Sequence, residues 1–440
     1  MRIPFRRWAA ILAVAAVVSA CASGGSSPTP PANTATSTSA ANPSVNPTPT
    51  AAPVKLTYFT FSAAPDHLND LNTIVKAFEA QYPNITIDVQ TAAYADYFTK
   101  LQTDFAAGSA PDTFETDYGD FVGYADAGSL LDLSTLAAGD STFNPATFYP
   151  KAYSAFQYNG KPYALPESFS DVLLFYNKTL FDAAGVAYPT ANWTWFDELT
   201  AAQKLTDTSK GIWGIYQPVS FFEFYKTLQQ AGGSFFSADG KQATFNSAAG
   251  VTAASWLIDK ANKYHVMPTA AQMGGQDDTA LFKSGKLAMW VNGIWQFTGL
   301  AQSSFQWDVQ LEPGDVQKAA HFFANGVAAS AKTQHPTEAW EWLRFLSSSS
   351  VSVTTRVNSS WELPAVSDTS LFSSYMTQTP PANRQAVFDA LANVSLQPII
   401  PQESQMQDIV NKALQQAQLG QSSVQDALNS AANQVDALLK

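Results

Sequence analysis

Strand-like and helix-like apolar patterns alternate along this chain, and this alternation limits the folds that it can adopt. Residues 54–61 read as a strand, and apolar residues then recur at helical spacing over 68–78. After a turn that contains Pro83, residues 85–89 alternate apolar with polar side chains, as a second strand does. Strand, helix, strand units of this kind build parallel sheets. The pattern therefore predicts an α/β fold.

Further elements continue the alternation. The sequence predicts strands over 110–116 and 172–176, and helices over 97–107, 195–205, 221–230, 248–264, 337–347 and 402–439. The last helix should be interrupted near Gly420. Thr194 is predicted to cap the helix over 195–205, because its hydroxyl can accept a hydrogen bond from a free backbone N–H at the helix start.

The N-terminus has the composition of an export signal. Arg2, Arg6 and Arg7 precede an uncharged run that is too short to span a bilayer, so we predict a signal peptide over residues 1–20. The next residue, Cys21, is the single cysteine of the chain. Residues 18–21 resemble the lipobox of bacterial lipoproteins, which implies that Cys21 carries a lipid. The alternative is an ordinary signal peptide that happens to end at a cysteine.

Residues 21–53 are predicted to be a lipid-anchored, disordered tether. Beyond Cys21 they contain only Ala, Ser, Gly, Pro, Thr and Asn apart from Val45, which leaves almost no apolar surface to bury. With one cysteine the chain can form no internal disulfide and no thiolate metal site. The remainder is long enough for two domains with substantial hydrophobic cores.

The charge of the chain disfavours some partners. A formal net charge of −12 repels phosphate backbones, so we predict no nucleic-acid binding. Only 14% of the residues are charged while 13% are aromatic, a balance that favours an uncharged polar ligand. The four histidines are scattered, and no phosphate loop, His/Cys metal motif or Gly-x-Ser-x-Gly elbow is present. We therefore expect no metal and no cofactor.

Several short motifs occur in a characteristic order. They include Phe78-Glu79, Tyr82-Pro83-Asn84-Ile85, Ala110-Pro111-Asp112, Gly160-Lys161-Pro162-Tyr163, Leu165-Pro166, Tyr176-Asn177-Lys178, Trp193-Thr194-Trp195, Ser284-Gly285-Lys286 and Asn292-Gly293 with Trp295. In this order they resemble the family 1 extracellular solute-binding proteins, which include the maltose-binding protein. The resemblance runs from about Val54 to the C-terminus.

This resemblance implies a two-lobed periplasmic-binding-protein type II fold, in which each lobe is a mostly parallel sheet flanked by helices and a hinge crosses between the lobes several times. Lobe 1 would hold 54–166 plus 321–367, and lobe 2 would hold 170–312 plus 370–440. The implied function is that of the extracytoplasmic substrate-binding lipoprotein of a sugar ABC importer. It would be monomeric, would deliver a mono- or oligosaccharide to the permease, and would touch the membrane only through its lipid.

Two candidate ligand-binding residues follow from the strand pattern. A sugar needs aromatic rings against its C–H face and fixed hydrogen-bonding groups around its hydroxyl rim. Asp117 and Tyr118 come directly after a predicted strand, and residues beyond the carboxyl ends of strands in open α/β sheets line the ligand crevice. A solvated loop is the alternative for both, as it is for Asp120.

Other candidates come from the resemblance. It implies that Trp295 stacks on the ligand, that Asp171 binds it at a strand entrance, and that Phe222, Tyr225 and Trp361 contribute rings. Each has a plainer alternative. Trp295 could be a core residue, Glu167 competes with Asp171 as the sugar-binding acid, and some of the aromatic residues in 221–225 must face the core.

The identity of the ligand stays open. The first strand ends in Phe61 where the family often has a Trp, so a glucan, a pectin or xylan fragment, a disaccharide and a polyol all fit. A secreted carbohydrate-active hydrolase is the main alternative, with Asp112, Asp117, Glu167 and Asp171 as conceivable acid pairs. We expect no catalysis, because nothing in the sequence singles out such a pair. A binding protein for peptides, amino acids or metals is a third, weaker alternative.

Overall fold

A computed structural model describes residues 52–360 and 362–440 of the chain. The predicted signal peptide, the lipid-attachment residue Cys21 and nearly all of the predicted tether lie outside these ranges. Trp361 also lies outside them.

The strands of the described residues form two sheets. They are β1 (Val54–Thr60), β2 (Ile85–Thr91), β3 (Thr113–Asp117), β4 (Gln157–Tyr158), β5 (Lys161–Pro162), β6 (Ala164–Asn177), β7 (Trp213–Tyr216), β8 (Leu287–Gly293), β9 (Trp307–Gln310), β10 (Ala320–Ala329), β11 (Leu363–Pro364) and β12 (Val394–Ser395). The small hairpin β4–β5 stands apart from the larger sheet.

The helices lie between these strands. They are α1 (Pro65–Gln81), α2 (Tyr94–Ala107), α3 (Tyr118–Asp126), α4 (Ser134–Gly139), α5 (Pro150–Ala155), α6 (Lys178–Ala184), α7 (Trp195–Leu205), α8 (Phe221–Gln230), α9 (Ala248–Asn262), α10 (Ala270–Met273), α11 (Asp278–Lys283), α12 (Phe297–Leu300), α13 (Pro336–Ser348), α14 (Ser350–Ser359), α15 (Ser373–Met376), α16 (Gln385–Ala390), α17 (Glu403–Gln418) and α18 (Val424–Leu438).

The larger sheet has parallel strands at both ends and antiparallel strands between them. Its order is β2-β1-β3-β10-β6-β8-β7. Strands β1, β2 and β3 pair in parallel, as do β7 and β8, whereas β10 and β6 run antiparallel to their neighbours along this order. Parallel strands joined by helices build α/β folds, so the predicted α/β class is confirmed.

Strand β6 links the two groups of parallel strands. Residues 164–171 pair with β10 and residues 172–176 pair with β8, while β9 pairs with the last part of β6. All fourteen residues of β6 are buried. A strand that is covered on both faces reads as a nearly continuous apolar run, and this explains why 172–176 was recognisable in the sequence.

Amphipathic helices cover the sheet. In α1 the residues Leu71, Ile74, Val75 and Phe78 are all buried, at the spacing that places them on one face, and they share a hydrophobic cluster with Leu56 of β1. Helices α8, α9, α17 and α18 form a second cluster around their own apolar faces. Each helix is therefore held by burial of one stripe of side chains.

The predicted boundaries agree closely with the structure in several places. The predicted helices over 195–205 and 221–230 are confirmed as α7 and α8. The predicted cap is confirmed too, since the Thr194 side chain and Asp197 form a reciprocal capping box at the start of α7. The predicted break near Gly420 is confirmed between α17 and α18. The lobe boundaries at 166/170, 312/321 and 367/370 stay a prediction.

Candidate ligand-binding cavity

A cavity of about 530 Å³ lies where the two groups of parallel strands meet. Its volume falls in the range of small-molecule sites, which run from about 300 to about 1,000 Å³. Residues from both predicted lobes line it: Phe61, Ser62, His67, Tyr94, Asp117, Tyr118, Ser170, Val172, Pro218, Ser220, Phe222, Glu223, Val291, Asn292, Trp295, Phe322, Phe323, Ala324, Asn325, His321, Glu362 and Gln397.

The topology of the sheet explains why these residues meet. Phe61 and Ser62 directly follow β1, and Asp117 ends β3. Ser220 follows β7, and Trp295 follows β8. The carboxyl ends of parallel strands in open α/β sheets form the crevice where ligands bind, and here two such sets of ends converge.

Aromatic rings form much of the cavity wall. The centroid of Trp295 lies 6.0 Å from that of Phe323, and the Phe323 ring lies 5.9 Å from that of Phe222. Across the cavity the rings of Phe61 and Tyr94 meet edge to face at 5.2 Å. Rings of this kind offer the flat apolar surface on which the C–H face of a sugar can stack.

The indole of Trp295 lies directly against the backbone of Gly293. A Cβ atom on Gly293 would sit 2.0 Å from the ring, a distance that no real side chain tolerates. The small size of Gly293 therefore allows this close approach of the ring. Its backbone angle does not call for glycine, because a φ of −93° is open to any residue. The glycine thus makes room for the indole ring.

One polar wall of the cavity is a row across three strands. Asn325 of β10 pairs with Asp117 of β3 on one side and with Ser168 of β6 on the other. The Asn325 amide donates to Glu362 at 3.0 Å, and the Ser168 hydroxyl donates to the same carboxylate oxygen at 2.5 Å. Asp117 and Glu362 thus both neighbour Asn325 in the cavity wall.

Asp117 is held by the helix that follows it. It is the N-cap of α3, and its carboxylate accepts hydrogen bonds from the backbone N–H of Asp120 at 2.8 Å and from the Tyr94 hydroxyl at 3.1 Å. Burial raises the pKa of Asp117 above its usual value, while these hydrogen bonds act in the opposite direction. The carboxylate is therefore fixed in orientation at the cavity wall.

The opposite polar wall rests on buried ion pairs. Glu223 of α8 accepts from the Gln217 amide at 2.6 Å and pairs with the Lys226 ammonium at 2.9 Å. Lys226, which has no exposed surface, also contacts Glu312. Burial alone would raise the pKa of Glu223, but Lys226 and His321 outweigh it and the net shift is downward. Burial raises the pKa of Glu312 to about 8, and the neighbouring Lys226 ammonium acts in the opposite direction.

His321 lies between these acids as a neutral ring. Its Nε2 atom is 2.9 Å from the carbonyl oxygen of Phe222, which can only accept, so Nε2 carries the hydrogen and donates. Burial lowers the pKa of His321 to about 4. The imidazole therefore brings no positive charge to the cavity at neutral pH.

Four of the predicted ligand-binding residues line the cavity. They are Asp117, Tyr118, Phe222 and Trp295. Trp361, which the resemblance placed near the last hinge crossing, lies outside the described residues. Phe61, which was considered as a replacement for a family Trp, also lines the cavity.

Asp171 and Tyr225, the other two predicted residues, do not line the cavity although they lie close to it. Asp171 is fully buried between Ser170 and Val172, which do line the cavity. Its carboxylate oxygens have no hydrogen-bond partner among the described residues, and burial raises its pKa well above the usual value. Tyr225 lies one turn further along α8, buried against Phe221.

The sequence analysis missed several polar residues of the cavity, above all Glu223, Asn325 and Glu362. Glu223 follows Phe222 directly, so the Phe-rich start of α8 drew attention to its rings alone. Glu362 directly precedes Leu363-Pro364, the pair that placed Trp361 near the hinge. Within the described ranges, no group of His, Cys, Asp or Glu side chains is arranged to hold a metal ion.

We predict that the unfolding free energy falls as pH rises, because of the titration of Asp120. Burial, with Asp117 and Glu403 nearby, raises the pKa of Asp120 to about 8, so the folded state keeps a proton that the unfolded state releases near pH 4. This contribution is complete below pH 4 and is lost as pH rises through 8. The substitution Asp120→Asn should reduce the fall in unfolding free energy between pH 5.5 and pH 8.5 by at least about 1 kcal/mol, as measured by urea denaturation.

The control for this prediction is Asp408→Asn, an exposed aspartate on α17. It should leave the pH dependence of unfolding as it is in the unchanged chain. An Asp120→Asn variant with an unaltered pH slope would contradict the prediction.

Comparison with known proteins gives the family. The sequence profile of the bacterial extracellular solute-binding proteins matches residues 64–352. The solved structure of an ABC substrate-binding protein from Listeria monocytogenes, in complex with cycloalternan, is 42% identical with a TM-score of 0.85, and the match covers 88% of this chain and 98% of that one. This similarity confirms the predicted two-lobed fold class.

More distant relatives agree. The maltotriose-binding protein of Pyrococcus abyssi is 24% identical over 289 residues, which is 64% of this chain and 60% of that protein. An uncharacterized lipoprotein from Streptomyces antibioticus is 26% identical over 318 residues, or 68% of each chain. The chain therefore belongs to the family of bacterial extracellular solute-binding proteins.

Proposed function

We propose that this protein captures a mono- or oligosaccharide in the cavity and delivers it to the permease of an ABC importer. The observation that carries the proposal is the composition of the cavity wall, where aromatic rings such as Trp295 and Phe323 stand beside the carboxylates Asp117, Glu223 and Glu362. The 42% identical structure from Listeria monocytogenes supports it, because that protein holds a cyclic oligosaccharide.

The wall suits the two surfaces of a sugar. The rings can stack on the C–H face, and carboxylates make short, charge-assisted hydrogen bonds with hydroxyls. Residues of both predicted lobes contribute to the cavity, so a bound sugar would favour the closed arrangement, in which all of these contacts form at once. The permease can then recognise the loaded protein by its shape.

A hydrolase is disfavoured by where the four candidate acids lie. Only Asp117 lines the cavity. Asp112 accepts hydrogen bonds from Thr57 and Thr333, and Glu167 forms a buried ion pair with Arg356. Glycoside hydrolysis needs two carboxyl groups flanking the bond to be cleaved, at a separation of about 5 to 10 Å. Asp171 does not line the cavity and is fully buried, so it does not complete such a pair.

The first prediction from this proposal concerns thermal stability and turnover. A neutral sugar that binds only the folded protein raises its melting temperature by mass action. A thermal-shift screen over neutral mono- and oligosaccharides should give at least one hit, and chromatography of the incubated hit should show the sugar intact. A product would favour the hydrolase, and a screen without any hit would contradict the proposal.

The second prediction concerns Trp295. Replacing a central buried ring at a binding site commonly costs about 2 kcal/mol, so Trp295→Ala should weaken binding of the best screening hit about thirtyfold in calorimetry. The control is Phe196→Ala, which removes an aromatic ring from α7 that is 76% exposed and is not part of the cavity wall. Equal affinities of the two variants for the sugar would show that Trp295 is not part of the binding site.

We further propose that the protein is anchored on the extracytoplasmic face of the cell membrane by a lipid on Cys21, as a monomer. The lipobox-like residues before Cys21 and the relative from Streptomyces antibioticus that is named a lipoprotein support this. The described helices include none with the length and apolar character that crossing a bilayer requires. In this proposal the lipid on Cys21 makes the membrane contact.

The third prediction tests the anchor. Acyl chains contribute about 0.8 kcal/mol per buried CH₂ group, so loss of the thiol that carries them should release the protein. Expression of the Cys21→Ala variant in a bacterial host should move the protein from the membrane fraction to the soluble extracytoplasmic fraction on immunoblots. A variant of a neighbouring tether residue, Ser23→Ala, should stay in the membrane fraction. Retention of the Cys21→Ala variant would refute the lipid anchor.

A further inference from the structure

The ionisable side chains that line the cavity are unevenly distributed. Three carboxylates line it, on Asp117, Glu223 and Glu362, and two histidines accompany them. No Lys or Arg occurs among the described residues of its wall. A ligand in this cavity therefore meets several acidic side chains and, among the described residues of the wall, no Lys or Arg that would offset them.

The cations closest to the wall are already engaged by protein acids. Lys226 contacts both Glu223 and Glu312 and has no exposed surface. Arg356 pairs with Glu167, and both side chains of that pair are about 1% exposed. These cations stabilise buried carboxylates behind the wall, so they are not available to a carboxylate or phosphate on a ligand.

Two of the three acids lie next to Asn325 in the cavity wall. Asp117 pairs with Asn325 in the strand register, and the Asn325 amide donates to Glu362, so both acids neighbour Asn325 in the cavity wall. A ligand hydroxyl or ammonium group can donate to either carboxyl group. A ligand carboxylate at the same place would face two acidic side chains, and like charges repel more strongly in a partly dehydrated cavity than in water.

We propose that this cavity selects saccharides by charge: it accepts neutral and amine-bearing sugars and excludes acidic sugars, with Asp117 and Glu362 setting the preference. The inference rests on the proposed function and adds the class of sugar to it. A protonated amine gains a charge-assisted hydrogen bond at this wall, whereas a uronate gains none and is repelled. The cavity thus discriminates by charge between sugars of nearly equal shape.

A matched panel of sugars tests the proposal. The panel holds glucose, glucosamine and glucuronate, the same three forms of galactose and mannose, and a disaccharide of each form. Calorimetry at pH 6.5 and low salt keeps the sugar amines protonated and the uronates ionised. In any series whose neutral member binds, the uronate should bind at least about tenfold more weakly. The amine should bind at least as tightly as the neutral sugar.

The variant Asp117→Asn tests the assigned residues. Asparagine is also a good N-cap, so the start of α3 keeps its hydrogen bond while one negative charge is lost. The ratio of uronate affinity to neutral-sugar affinity should rise at least about threefold. The matched control is Asp126→Asn on the same helix, an exposed aspartate that accepts from Tyr158 and should leave this ratio unchanged.

A second variant tests the proposal even if the first one fails to fold. Glu362→Gln keeps an oxygen that can accept hydrogen bonds from Ser168 and Asn325. It should also raise the ratio of uronate affinity to neutral-sugar affinity. The melting temperature and circular dichroism spectrum identify any variant that fails to fold, and the conclusion is then drawn from the other one. An unchanged ratio in every folded variant would show that these two acids do not set the preference.

The outcomes separate this inference from the function on which it rests. If no neutral saccharide in the panel or in the thermal-shift screen binds, the proposed function fails. If neutral sugars bind but a uronate binds within about threefold of its neutral counterpart, the charge selection alone is overturned. An amine that binds about tenfold more weakly than the neutral sugar overturns it as well.

Discussion

The hydrogen bonding of one buried strand, β6, underlies the rest of the structure. Its first half pairs with β10 and its second half pairs with β8 and β9, so a single extended segment belongs to both groups of parallel strands. The cavity opens beside the point where the pairing partner changes, and Ser170 and Val172 line it there. Any rearrangement of the two groups must therefore bend or twist this strand and its partner β10, whose backbone hydrogen bonds limit the available motions.

Buried charge lies behind both polar walls of the cavity, and it serves to fix acids in place. Lys226 lies between Glu223 and Glu312, and Arg356 pairs with Glu167. Buried ion pairs add little net stability, because desolvation of the two charges offsets their attraction. Removal of one partner is costly, however, since it leaves an uncompensated charge. The Lys226 pair is thus better explained as a support that keeps the cavity carboxylate of Glu223 oriented.

Much of this fold was predictable from the sequence, and the reason is local. Helices α7 and α8 could be bounded correctly because a capping residue and an apolar stripe mark each. Asp117 could be placed because it ends a strand. The face of Asp171 could not be read, since β6 is buried on both sides and shows no alternation. The role of Glu312 was also hidden, because its partner Lys226 is 86 residues away in the chain.

The close contact between Gly293 and Trp295 couples two sequence positions. A methyl group at 293 would overlap the indole where it now lies, so any side chain at 293 would have to displace the ring. The ring also neighbours Phe323, which is itself packed near Phe222. A substitution at position 293 would therefore reshape the aromatic wall of the cavity without replacing any of its rings.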